Sequence, residues 1–281
     1  MTDFLARLLV PLNAGANAVG KPLLAPIGFS PGWLSATVVA AVTGVLLLIV
    51  FKYTSNQHTI KRVRDDINAN LLALKLFKDS TPVTLRAQGR MIVGGFRLMI
   101  LALVPMLAMA LPVTLMLGQL SLWYQARPLR VGEDAVLTVT LDKAAASPRP
   151  EARLRPTDAA EVLVGPVRVR TRNEICWKIK ALKPGEHRLV FDIGDQTFDK
   201  ELMIGDGFMR VSSLRPGRQL SDILLNPAEQ PFRTGSPVRS IEIVYPGRSS
   251  WTCGRDSWVI YWFAVSMIAA LCFRRALGVH V

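Results

Sequence analysis

Two long apolar runs, Leu34 to Phe51 and Leu98 to Leu117, constrain this chain more than any other feature. Leu34 to Phe51 holds 18 residues without a charge. At ~1.5 Å rise per residue this is about 27 Å of helix, enough to cross a hydrocarbon core. Leu98 to Leu117 is equally uncharged and carries Pro105 and Pro112, which membrane helices tolerate as kinks. A third run, Trp258 to Phe273, is short for a span, so Trp251 to Ser257 extends it or the bilayer thins around it. Trp258, Tyr261 and Trp262 mark its outer end. A chain that is 50% hydrophobic with a net charge of +13 suits an integral membrane protein better than a soluble domain. Its basic excess is read first as lipid anchoring and span orientation, ahead of nucleic-acid binding.

Between the first two runs, Ile60, Val63, Ile67, Leu71, Leu74 and Phe77 recur close to a seven-residue period. Asp79 to Pro82 then ends one helix and starts another, with Ser80 or Thr81 as cap and Pro82 in the first turn. Residues 53–92 therefore read as a coiled-coil hairpin whose second arm continues into the second span. From Lys52 to Arg97 there are nine basic residues against three acidic ones, which places the hairpin in the cytoplasm. Lys61, Arg62, Arg64, Lys75, Lys78, Arg86, Arg90 and Arg97 are its candidate contacts for a partner. Met91, Met99, Met106, Met109 and Met116 fall within an arc of roughly 100° on an unkinked helix. Such a stripe is either ordinary packing and lipid contact or an adaptable apolar binding face.

The remaining segments complete the order. Residues 1–32 read as a short amphipathic interfacial helix, broken near Pro11 and Asn13, and a Pro/Gly-rich connector from Lys21 onward. Transmembrane helices occupy 33–52, 93–120 and 251–273, and residues 274–281 form a cytoplasmic tail with Arg274 and Arg275. Residues 121–250 change character. Ala135 to Leu141, Val167 to Arg170, Ile175 to Lys180, Arg188 to Ile193 and Thr197 to Ile204 alternate as half-buried strands. Pro184 Gly185 and Gly194 Asp195 supply turns, and regularity fades after Gly207 except for a late strand at Ser240 to Tyr245. The expected fold is three transmembrane helices with a cytoplasmic helical hairpin, plus an all-β, immunoglobulin-like sandwich outside the cytoplasm. The N-terminus lies outside and the C-terminus in the cytoplasm, in a bacterial inner membrane.

Chemistry of the catalytic kind is missing from the sequence. His58, His187 and His280 fall in separate segments and cannot form one site, and no glycine-rich phosphate loop or metal-ligand cluster appears. No Asp, Glu or Lys lies within Leu34 to Phe51, Leu98 to Leu117 or Trp258 to Phe273, which removes the usual mark of an ion-coupled transporter. Asp65 Asp66 and Glu133 Asp134 read as solvated charge. The reading is a non-enzyme without cofactor or metal. Cys176 and Cys253 both lie in the extracytoplasmic part, where a disulfide would persist, but spacing does not settle whether they pair.

The order of span, hairpin, span and third span resembles the membrane insertase superfamily of YidC and the Oxa proteins. Its three-span members, the archaeal YidC-like proteins and the core subunit of the endoplasmic reticulum membrane complex, are nearest in size. Phe51 to Thr59 (FKYTSNQHT) and Leu71 to Ser80 (LLALKLFKDS) within Leu34 to Leu117 carry the resemblance. It implies a biogenesis factor whose hairpin meets a ribosome or targeting factor. The methionine face would then contact the client's transmembrane segment. The competing reading is a scaffold whose β-domain binds an envelope partner; a third makes the β-domain structural and the hairpin a lipid anchor. Membrane lipid is a partner in all three.

Overall fold

The computed structural model describes residues 2–29, 31–55, 57–76, 81–142, 150–233, 235–248 and 257–279. Five longer helices are α1 (Thr2–Leu24), α2 (Gly32–Thr54), α3 (Gln57–Leu76), α4 (Thr81–Tyr124) and α6 (Ser257–Phe273), with a short α5 (Leu220–Leu225). The strands are β1 (Asp134–Leu141), β2 (Ala152–Leu154), β3 (Ala160–Val169), β4 (Glu174–Ala181), β5 (Gly185–Ile193), β6 (Gln196–Ile204), β7 (Leu214–Arg215) and β8 (Val238–Ile243). The chain divides into two compact units, Met1–Ala36 with Thr114–Tyr261, and Thr37–Val113 with Trp262–Val281.

The first unit is built on antiparallel sheets. One has the order β3-β4-β1-β8-β7 and the other β2-β5-β6. Inward residues alternate along the strands, as in β1, where Ala135, Leu137, Val139 and Leu141 are all buried. Both sheets contribute to one hydrophobic core: Leu137, Trp177 and Ile179 come from the larger sheet, Leu189, Phe191 and Ile204 from the smaller. Trp177 meets Phe191 edge to face at 5.7 Å. Gly194, with φ of 57°, turns β5 into β6, whose residues pair from Ile193↔Gln196 to Gly185↔Ile204.

Several elements in this unit differ from the sequence reading. Helix α1 runs through Pro11 and includes Pro22, instead of ending near Asn13. Asn13 is buried and its Nδ2 donates to Ile223 O, while Asn17 Nδ2 donates to Pro227 O, 2.6 Å. These bonds, with Leu9 against Ile223, hold a helix that local propensity would break. Strand β3 begins at Ala160 rather than Val167, and β2, β7 and α5 were not anticipated. They are short or, in β3, exposed at nearly every residue, so they carry no periodic signal. The late strand is displaced toward the N-terminus, at Val238–Ile243. Glu133 is also more than solvated charge. Its carboxylate takes two bonds from Arg127, each 2.8 Å, and one from the Arg130 N–H at 2.9 Å. The Arg127 hydrogen bonds are the main cause that lowers its pKa to about 2.

The second unit is helical. α2 and α4 are long and apolar enough to cross a membrane, and α6, at 17 residues, is a shorter apolar helix. α2 and α6 pack through small residues: Ala40 is fully buried, and a Cβ on Gly44 would collide with the Ser266 backbone. The Trp262 indole N–H donates to Thr43 Oγ1 at 2.9 Å, closing the same seam with a hydrogen bond. In α3, Ile60 and Val63 are buried, Ile67 and Leu74 half-buried, and Leu71 exposed.

Candidate functional site

The candidate cationic and methionine sites can now be placed. Lys61, Arg62, Arg86, Arg90 and Arg97 are exposed and Arg64 is half-buried. Lys75 lies in α3, and Lys78 falls outside the described residues. Lys52, at the end of α2, is spoken for by the chain itself, its Nζ donating to Leu277 O at 2.8 Å. The methionines differ in exposure along their shared arc. Met99 and Met106 are 62% and 67% exposed, whereas Met91, Met109 and Met116 are half-buried on the side that holds buried Ala87 and Pro105. At ~100° per residue, members of the two groups stand about 60–100° apart, enough to separate open from packed positions. Ile100, Val104 and Leu107 are as exposed as Met99, so methionine is not singled out on the outer face. Cys176 is a free, half-buried thiol whose Sγ lies 3.7 Å from Thr138 Oγ1; Cys253 falls outside the described residues. Among the described residues no group of His, Cys, Asp or Glu is arranged to hold a metal ion.

A cleft of about 1130 Å³ lies instead on the β unit, where the edge strand β2 of one sheet and the edge strand β3 of the other stand apart. Leu154, Pro156, Val162, Pro166 and Leu182 wall it, and Trp177 reaches it from the core. Gly165 makes that reach possible. A Cβ there would stand 2.7 Å from the indole, and its φ of 131° excludes side chains in any case. Along β3, Val162, Leu163, Val164 and Val167 are 40–52% exposed, an apolar strand that the fold leaves uncovered. Pro166 and two shifts of register interrupt β3, devices that stop another strand from pairing along an open edge. The cleft is thus suited to receiving side chains rather than extending the sheet.

Four of the charges that line the cleft pair with one another, and Glu161 and Arg168 line it as well. Lys183 bonds Asp158 at 2.9 Å and holds its carboxyl below the usual aspartate range, and Arg153 bonds Glu151 at 3.3 Å. Arg155 makes a two-pronged contact with Asp192 at 2.7 and 2.8 Å. What the cleft offers a partner is therefore chiefly apolar surface. None of its wall residues stood out in sequence. The signal available was the run EVLVGPV at 161–167, four branched aliphatic residues broken by Gly-Pro, which reads as a strand edge once β4 is known.

A second cluster, also missed, is polar and buried. The β6 alternation that buries Phe198 and Leu202 puts Lys200 on the same inward face, with no exposure at all. Its Nζ donates to Ser212 O at 2.7 Å, to Ser212 Oγ at 3.0 Å and to Glu229 Oε1. Ser212 Oγ also donates to Glu229 Oε1, and Glu229 Oε2 accepts the Glu201 N–H at 3.3 Å. Burial pulls the Lys200 ammonium below the ordinary lysine range, with Glu229 opposing the shift. Burial likewise raises the Glu201 carboxyl and the Tyr245 phenol, whose oxygen accepts the Met203 N–H at 3.1 Å.

Set against protein-family models, curated proteins and solved structures, the chain finds no match. What the fold itself defines is a class: a protein with two helices able to cross a membrane and a separate region of antiparallel sheet.

Proposed function

We propose that this protein is a membrane-anchored, non-enzymatic scaffold whose extracytoplasmic β-domain captures an apolar segment of an envelope partner in the cleft between β2 and β3. The observation that carries this reading is the uncovered apolar wall of β3 beside a cleft floored by Trp177. In this reading α2, α4 and α6 all span the membrane, with the N-terminus outside and the tail at Arg274 and Arg275 inside. The basic α3 and the start of α4 form a cytoplasmic coiled-coil hairpin, supported by buried Ile60 and Val63 and half-buried Ile67. The β unit is an immunoglobulin-like sandwich, a reading supported by its two antiparallel sheets on one core. Photocrosslinkers at Val162 and Leu182, with Val136 on the exposed side of β1 as control, test it in native membranes. The scaffold reading expects one discrete protein adduct from the first two positions, abolished by Val162→Arg; adducts equal at all three positions would refute it.

A second reading, an insertase-like biogenesis factor of the YidC and Oxa type, is favoured by one observation. α4 leaves Met99, Ile100, Val104, Met106 and Leu107 uncovered by the rest of the chain, an apolar flank open to lipid or to a client's transmembrane segment. Crosslinkers at Met99 and Met106 during synthesis of a small membrane protein separate the two readings, because only the second expects adducts with the nascent chain there. A ribosome or targeting factor would then dock at the hairpin.

A further inference from the structure

Lys200, Ser212 and Glu229 form a buried, hydrogen-bonded cluster that the binding role does not use. Phe198 and Leu202 flank Lys200 on the inward face of β6, and Phe232, three residues beyond Glu229, packs edge to face on Phe198 at 5.5 Å. The Lys200 side chain is fully enclosed and that of Glu229 is 6% exposed, so the pair keeps much of its desolvation cost, while Glu229 also lines a cleft with Glu201 and Arg210. Ser212 Oγ touches both reacting groups, 3.0 Å from Nζ and hydrogen-bonded to Oε1. The other carboxyl oxygen, Oε2, accepts the Glu201 backbone N–H.

We propose that Lys200 and Glu229 are joined by an amide cross-link formed without any other protein or cofactor. In this enclosed pair one proton passes from the ammonium to the carboxylate, giving a neutral amine and a neutral acid. The Nζ lone pair attacks Cδ of Glu229, and the Nζ–Cδ bond forms. The negative charge that develops on Oε2 is met by the Glu201 N–H. Nζ then passes a second proton to Ser212 Oγ while the Ser212 hydroxyl proton moves to Oε1, which already holds the first. The Cδ–Oε1 bond breaks and Oε1 leaves as water. The products are a neutral amide and one water molecule, so the buried charge pair disappears. Two groups held together by the fold react as though at very high concentration, with effective molarities of about 10⁵–10⁸ M for well-oriented pairs. The link ties β6 directly to the segment that leads into β8.

Intact-mass measurement of the denatured full-length protein, purified in detergent, tests this against a Lys200→Arg variant. After allowing for the substitution, the wild type is expected to be lighter by one water, and fragmentation is expected to yield a branched peptide joining Lys200 to Glu229. Ser212→Ala is expected to slow cross-linking about 100-fold or more, the usual scale of a lost proton relay. Equal corrected masses, or linear peptides carrying an unmodified Lys200 and Glu229, overturn the proposal. The wild-type measurement decides it even if the variants fail to fold.

Discussion

Helix α4 and strand β6 break the usual rule of burial in opposite directions. α4 presents Met106 and Leu107 to its surroundings at 67% and 65% exposure, whereas β6 encloses Lys200 completely. The difference is one of solvent. An apolar helix surface is costly only in water, and in a bilayer it already lies in its preferred medium. A buried ammonium is costly in any protein core, and before any condensation Ser212 and Glu229 occupy all three of its donors.

Removing that compensation has the largest expected effect. Lys200→Met leaves the Glu229 carboxylate buried and unpaired and is expected to cost about 3–5 kcal/mol. Lys200→Met with Glu229→Leu is expected to recover the part of that loss due to the unpaired charge, though not the share of the cross-link, by chemical denaturation in detergent. If the double variant is no better than the single one, the cluster owes its worth to something other than paired charge. On the helical side, Val104→Asp is expected to impede insertion by about 2.5–3.5 kcal/mol. The like change at exposed Val136 of β1 is expected to shift stability by less than about 0.5 kcal/mol. Equal effects at the two positions would erase the contrast in solvent.

A smaller effect attaches to the Arg127–Glu133 pair. Arg127→Ala is expected to cost about 1.5–3 kcal/mol, because it removes charge-assisted bonds from a half-buried carboxylate. Glu133 has a folded pKa of about 2 against 4.5 for the free group. Its folded pKa is depressed, so the stability it contributes is fully present above pH 4.5 and is lost as pH falls toward 2. Glu133→Gln should flatten that part of the acid-unfolding curve; an unchanged curve would show that other carboxylates set it. Smallest of all, Met99→Leu and Met106→Leu are expected to change stability by less than about 0.5 kcal/mol, since shape and polarity are nearly kept.

The sequence was most readable where a residue's surroundings follow from its period. Ala135 to Leu141 alternates because one side of β1 is core, and Leu34 to Phe51 is uncharged throughout, which makes a helix long and apolar enough to cross a membrane. It was least readable where tertiary partners override local rules. Asn13 and Asn17 look like helix breakers until Ile223 O and Pro227 O accept their amide hydrogens. The cleft escaped notice because its walls come from the edges of two sheets, and β3 carries no alternation when both its faces are exposed. Lys200 sat in plain view within an alternating strand, FDKEL, where an inward lysine asks for a buried acid that lies far along the chain at Glu229. The methionine stripe was legible as a pattern of helical phase; the exposure of each residue along it was not.

Thiol accessibility tests the contrast between the two regions most directly. With the native cysteines replaced by serine, single cysteines are placed at Leu182 in the β unit, Lys61 in α3 and Val104 in α4, and intact cells are treated with a membrane-impermeant reagent. The account predicts labelling at 182 without permeabilisation, labelling at 61 only after it, and none at 104 until detergent is added. Labelling at 104 in intact membranes, or at 61 and 182 from the same side, would contradict it.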